Sequence, residues 1–94
     1  MAMLHKVINQ LDEKDYKILR VLDSLTEKYE YVPLDIIESR VNIYAKELDA
    51  HLRKLNKLRL VRRIDTSFTG YAITFLGLDV LALKDLSNKG IVYM

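Results

Sequence analysis

The sequence predicts one small domain of the mainly α (α+β) class. The chain has 94 residues, 50% hydrophobic and 30% charged, a balance typical of a single core with a charged surface. Three glycines and one proline are too few for a many-turned β-protein, and the aliphatic residues recur mainly at helical spacing. Because the chain has no cysteine and no long apolar run, we expect a cytoplasmic protein without a membrane segment.

Two helices are predicted at the N-terminus. The first is a short leader whose apolar stripe consists of Leu4, Val7, Ile8 and Leu11. Asp12 has the position of an N-cap for a second helix over about residues 13–28, and Glu13 and Asp15 place negative charge in its first turn. We interpret these three carboxylates as solvated caps and not as catalytic groups.

A helix-turn-helix is predicted next. Residues 29–32 suit a very short extended segment, and Pro33 suits the first turn of a helix of about nine residues that ends near Asn42. After a short break, a third helix is indicated by leucines at helical spacing, which are Leu48, Leu52, Leu55 and Leu58. His51 is expected at the edge of this buried face.

The remaining residues predict a hairpin and a final helix. The β-prone segments 60–66 and 71–74 flank a turn-rich segment, and Thr74 can cap the helix that follows. The apolar face of that helix is predicted to contain Leu78, Leu81, Ala82 and Leu86. This order is the layout of a winged helix-turn-helix over residues 1–90, with a two-stranded wing and extra N- and C-terminal helices.

Positive charge is concentrated in residues 44–63, which carry seven Lys or Arg against two Asp or Glu. A rotation of about 100° per residue places three cations and a small alanine on the side of the third helix opposite its leucines. Further cations continue from the helix into the wing, as expected of a surface that tracks phosphates. The candidate nucleic-acid-binding residues are Lys46, Ala50, Arg53, Lys54, Lys57, Arg59, Arg62, Arg63 and Phe68.

Several interpretations stay open for this surface. Phe68, near the tip of the hairpin, can either stack on a base or fold back onto the wing. The cations can equally form a solvated face, and winged helices serve as DNA-binding transcriptional regulators and as protein-interaction modules. Base-specific reading is not expected, because the outward ridge has no Asn or Gln at its centre. Catalysis is not expected either, since His5 and His51 are the only histidines and the three glycines are isolated.

A longer motif carries a family resemblance. Residues 70–84, GYAITFLGLDVLALK, resemble the wing strand and following helix of the N-terminal domain of RIO-type atypical serine/threonine kinases, second subgroup. Residues 31–33 and 15–19 look similar as well. The Ile-Thr-x-x-Gly part at 73–77 is common among winged helices, whereas the longer run is more specific.

The resemblance implies a function for a larger protein. In that family this domain precedes a kinase domain that binds ATP and Mg²⁺ and acts in late maturation of the small ribosomal subunit. We therefore expect residues 91–94 to begin a linker to the kinase domain, and residues 1–94 to have no kinase activity or cofactor of their own. The implied partners are ribosomal RNA or DNA, ribosomal proteins and the kinase domain, and we expect a monomer.

Overall fold

The computed structural model describes residues 6–88, which alternate helices with short strands. Residues 6–8 form a helical turn. The longer elements follow in the order α1 (Glu13–Ser24), β1 (Val32–Pro33), α2 (Leu34–Val41), α3 (Ala45–Lys57), β2 (Val61–Asp65), β3 (Thr69–Ile73) and α4 (Phe75–Asn88). The winged helix-turn-helix prediction is thereby confirmed, because α2 and α3 form the helix pair and β2 and β3 form the wing.

The wing belongs to a three-stranded antiparallel sheet. β2 and β3 pair from Val61 with Ile73 at the base to Asp65 with Thr69 near the tip. The segment predicted only as extended becomes β1, whose Val32 pairs with Tyr71. The strand order is β1-β3-β2, so β3 lies between the wing edge and the strand that leads into α2.

Two helix boundaries differ from the sequence prediction. α1 ends at Ser24, four residues before the predicted end, because the hydroxyls of Ser24 and Thr26 donate to carbonyls of its last turn and compete with the helical pattern. Pro33 lies in β1 as the N-cap of α2 rather than inside that helix. The predicted role of Asn42 is confirmed, since it ends α2 in the left-handed conformation at φ 55° and ψ 48°.

The core forms where α1, α2, α3 and the sheet meet. Its fully buried side chains include Ile18, Leu19, Leu22, Ile37, Leu48, Leu52, Leu55 and Leu60. Val7 is also buried, and Ile8 and Leu11 pack against the same cluster, so the described part of the leader covers the core of its own domain. Leu4 and the predicted linker at 91–94 lie outside the described residues.

The predicted face of α4 is partly wrong. Ala82 is exposed, whereas Val80 is completely buried and Gly77 is buried as well. A Cβ atom at Gly77 would overlap the carbonyl oxygen of Leu60, so α4 is turned with its glycine against the backbone that enters β2. The predicted cap is confirmed: Thr74 Oγ1 accepts a hydrogen bond from Gly77 N at 3.1 Å.

No helix within residues 6–88 has the length and apolar content needed to cross a membrane.

Candidate nucleic-acid interface

Helix α3 turns one side to the core and the other to solvent. Leu48, Leu52 and Leu55 are buried, and the four residues predicted on the opposite side are all exposed. Those four residues are Lys46, Ala50, Arg53 and Lys57. The helix therefore presents three cations around a small residue that leaves room for a close approach.

One carboxylate also lies on this exposed side. Asp49 Oδ2 lies 2.9 Å from Arg53 Nε, one helical turn away, and both side chains are exposed. Such an exposed pair contributes little to stability in water, but it lowers the positive charge of the surface. The sequence prediction counted Asp49 among the two acidic residues of 44–63 but did not pair it with Arg53, although the spacing of four residues was visible.

The two adjacent arginines of the wing project to opposite faces of the sheet. Arg63 is the partner of Tyr71 across the ladder, and Arg62 is the partner of Ala72. Since successive side chains of a strand alternate between faces, Arg63 shares the face of the buried Tyr71. Arg62 instead lines a groove of about 440 Å³ on the other face. The cations predicted as one continuous surface are therefore divided by the sheet.

Tyr71 marks the place where α3 and the wing come together. Burial raises the pKa of its phenol. The positive charges of Arg63 and Arg53 act to lower this pKa, whereas the negative charges of Asp49 and Asp65 act to raise it. Arg63 is also held by Asp65, with Nη2 3.2 Å from Oδ2. Arg53 from the helix and Arg63 from the wing thus both act electrostatically on one phenol, which indicates that the positive charge of α3 continues onto β2.

Lys54 does not face outward with these cations. Its Nζ atom lies 2.5 Å from Asp15 Oδ2 and donates to the Gln10 carbonyl at 3.0 Å. Only 33% of its side chain is exposed. Arg59 is exposed in the turn after α3 and has a positive φ of 65°, and its carbonyl accepts a hydrogen bond from Thr74 Oγ1. Lys54 therefore has an internal partner, whereas the Arg59 side chain is exposed.

Among residues 6–88, large aromatic side chains occupy three exposed positions. Phe68 is 43% exposed and folds back on the wing, where its Cε2 atom lies 2.7 Å from the position of a Cβ at Gly70. Phe75 is 88% exposed at the start of α4, and Tyr44 is 85% exposed immediately before α3. Sequence reasoning missed Tyr44, although an aromatic in a tight turn outside every apolar stripe was the available signal.

A buried polar cluster fixes α3 against α1. Asp15 has no exposed surface, and its Oδ1 atom lies 2.6 Å from His51 Nδ1. A carboxylate can only accept, so this ring nitrogen donates the hydrogen bond. The expectation that Asp15 is a solvated cap is wrong, although the capping box between Asp12 and Asp15 is present.

The same cluster has the composition of a metal site. One ligand atom each from Asp12, Asp15 and His51 lie within 4.8 Å of one another. However, the Lys54 ammonium already pairs with Asp15 and supplies the compensating positive charge. Desolvation opposes ionisation of Asp12, but the backbone N–H of Asp15 and the charges of His51 and Lys54 outweigh it and lower the Asp12 pKa. We interpret the cluster as structural.

Comparison with known proteins assigns the chain to a protein family. The family model described as Rio2, N-terminal, matches residues 8–89. The serine/threonine-protein kinase rio2 of Dictyostelium discoideum is 28% identical over 91 residues, which are 97% of this chain and 17% of that protein. The RIO-type serine/threonine-protein kinase Rio2 of Methanocaldococcus jannaschii is 38% identical over 64 residues, which are 68% of this chain and 23% of that protein.

A solved structure agrees with these relatives. The Rio2 kinase of Chaetomium thermophilum, in a complex with ADP/Mg²⁺ and phosphoaspartate, superposes with a TM-score of 0.83 at 25% identity. The match covers 94% of this chain and 27% of that one, so the chain spans only a fraction of the length of its relatives. The predicted resemblance is confirmed, and the chain belongs to the family of Rio2 N-terminal domains.

Proposed function

We propose that this chain is the winged-helix docking module of a RIO-type serine/threonine protein kinase and that it binds nucleic acid through α3 and the wing. The observation that carries the proposal is the exposed row of Lys46, Arg53 and Lys57, which Arg63 extends beside Tyr71. Cations on one helix face and an adjoining strand match the phosphate-tracking surface of a winged helix. Within residues 6–88, no ion pair involves Lys46 or Lys57, so both ammonium groups are available.

The proposed ligand is RNA of the small ribosomal subunit during its maturation in the cytoplasm. The relatives named as kinases support the parent activity, since this chain matches their N-terminal family model. In this proposal ATP and Mg²⁺ are bound by the kinase domain, and residues 6–88 place that domain on its particle. The domain acts as a monomer, because its leader residues Val7 and Ile8 are used by its own core.

Two further functions compete with this one. A DNA-binding transcriptional regulator would use the same cations on duplex DNA. A protein-docking module would bind ribosomal proteins without nucleic acid, and the exposed Phe75 beside the groove of Arg62 is the observation that favours it. Measuring binding to RNA, to duplex DNA and to ribosomal proteins distinguishes the docking module on RNA, the transcriptional regulator and the protein-docking module.

The test compares two charge-reversal variants with equal net charge. Arg53→Glu/Lys57→Glu changes the outward side of α3, and Lys17→Glu/Lys28→Glu changes exposed lysines of α1 and the turn after it. We expect the first variant to lose affinity for every single-stranded RNA sequence tested. The magnitude of its log–log salt slope should fall by about 1.4, or about 0.7 per lost phosphate contact. The control should bind like the original protein.

The four substituted positions, 17, 28, 53 and 57, are all exposed. Both double variants should therefore keep the thermal stability of the original protein. Full RNA affinity of the folded Arg53→Glu/Lys57→Glu protein would reject the proposed interface. Nuclease-resistant binding to ribosomal proteins would then favour protein docking, and a preference for duplex DNA would favour the regulator.

A further inference from the structure

Tyr44 occupies the turn of the helix-turn-helix with its ring in solvent. Its backbone is well anchored, because its carbonyl accepts the first hydrogen bond of α3 from Leu48 N at 2.7 Å. The preceding Ile43 packs against the core and holds the turn in place. Tyr44 as a residue is 85% exposed, so a large aromatic side chain is presented to solvent on a hydrogen-bonded backbone.

A groove of about 410 Å³ lies beside this ring. It is lined by Glu38, Asn42, Ile43 and Tyr44, from the end of α2 to the start of α3. Its size is within the range of small-ligand sites, which is about 300–1,000 Å³. The groove thus combines an aromatic surface with a carboxylate and an amide, whereas the nearest cation of α3 in sequence, Lys46, follows two residues later.

We infer that this groove takes one unpaired nucleobase of a single strand, stacked on Tyr44, with its polar edge toward Glu38 and Asn42. The inference rests on the proposed function and names its ligand class. A base in a duplex is stacked between its neighbours and cannot cover Tyr44, so the strand at this point is single. The strand's phosphates continue toward Lys46 and the outward side of α3.

The charge of Glu38 indicates which part of the nucleotide enters. A carboxylate repels phosphate and accepts hydrogen bonds from amino groups, as in its pairing with the cytosine amine. Uracil has no exocyclic amine and offers mainly carbonyl acceptors. The groove therefore favours cytosine and other amino-bearing bases over uracil, while Asn42 can donate or accept at the same edge.

The experiment measures binding of the 94-residue chain to labelled oligocytidine, oligouridine, single-stranded oligodeoxycytidine and duplex RNA by fluorescence anisotropy. We expect oligocytidine to bind more tightly than oligouridine and duplex RNA. Tyr44→Ala should weaken oligocytidine binding about fivefold to hundredfold, and Tyr44→Phe, which keeps the ring, should bind like the original. Phe75→Ala removes an equally exposed aromatic away from α3 and should change nothing.

Glu38→Gln tests the proposed contact between the Glu38 carboxylate and the amino edge of the base. This change should reduce the preference for oligocytidine over oligouridine. The oligodeoxycytidine arm shows whether the ribose hydroxyl adds to recognition of the base.

The outcomes separate this inference from the proposed function. If Arg53→Glu/Lys57→Glu weakens binding but Tyr44→Ala does not, the cationic surface stands and the base site is rejected. Equal binding of cytidine and uridine that is unaffected by Glu38→Gln would reject the edge contact. Absence of binding to every oligonucleotide would reject both the proposed function and the base site.

Discussion

The Nζ atom of Lys54 lies 2.5 Å from Asp15 Oδ2, and this pair joins α3 to the first turn of α1. The carboxylate is completely buried, and it also contacts His51 Nδ1 and accepts from the backbone N–H of Asp12 at 2.9 Å. Two residues one helical turn apart on α3 therefore converge on a single acceptor. The contact ties α3 to α1 beside the buried leucine face of α3.

Asp15→Ala should destabilise the domain by about 1–3 kcal/mol, because it leaves the donors of Lys54, His51 and Asp12 without their acceptor. The partial exposure of Lys54 keeps the loss below that of a fully buried ion pair. Urea unfolding measures the change, and Asp23→Ala, at an exposed position of the same helix, is the control. Equal stability of the two variants would show that the cluster does not hold α3 to α1.

Acid should weaken the domain through Asp12. Its folded pKa lies below the ordinary 3.8, so its ionised form stabilises the fold above that value, and this contribution is lost as the pH falls through the lowered pKa. Asn keeps the N-cap function but does not titrate. The stability advantage of the original protein over Asp12→Asn should therefore shrink when the pH drops below 3.8, as measured by thermal unfolding across pH. A constant difference between the two proteins would contradict the assignment.

Gly77→Ala should destabilise the domain by about 1–3 kcal/mol, since the added Cβ overlaps the Leu60 carbonyl oxygen and would move α4 away from the sheet. In an ordinary helix interior the same change stabilises, by about 0.5–1 kcal/mol, so the sign of the effect is diagnostic. Ser87→Ala, at an exposed position of α4, serves as the control in thermal unfolding. A more stable Gly77→Ala protein would mean that α4 packs differently.

Arg62 and Arg63 lie on opposite faces of the wing, so replacing one or the other should change the salt dependence of nucleic-acid binding differently. With phosphate contacts from Lys46, Arg53, Lys57 and Arg63, the log–log salt slope on single strands should be about −2.8. Arg63→Gln should reduce its magnitude by about 0.7, whereas Arg62→Gln should leave it unchanged because Arg62 lies on the other face of the sheet. Anisotropy titrations over a salt series measure the slopes. Equal effects of the two changes would place both arginines at the nucleic acid.

Asp49→Asn should strengthen nucleic-acid binding about twofold to fivefold, because it frees Arg53 from its exposed partner and removes a negative charge from the outward side of α3. Asp79→Asn makes the same charge change at an exposed position of α4 and should have a much smaller effect. Both affinities are measured at one fixed salt concentration. Weaker binding of Asp49→Asn would indicate that Asp49 contacts the ligand directly.

Local patterns were sufficient for the order and type of the elements. The leucines of α3 recur at helical spacing, Thr74 accepts from an N–H within its own helix, and Asn42 ends α2 by its own backbone conformation. Each of these features depends on residues a few positions apart. The outward orientation of Arg53 and Lys57 follows from the same periodicity, so part of the candidate interface was predictable as well.

Tertiary packing decided the features that depend on distant residues. Periodicity placed His51 at the edge of the buried stripe of α3 and Lys54 beside the outward ridge. It could not show that both side chains contact Asp15, a buried residue of another helix. Likewise, two adjacent wing arginines look equivalent in a charge count until strand pairing assigns them to opposite faces. A one-dimensional pattern specifies which side of an element is buried, whereas the partners across that side are chosen by how the elements pack together.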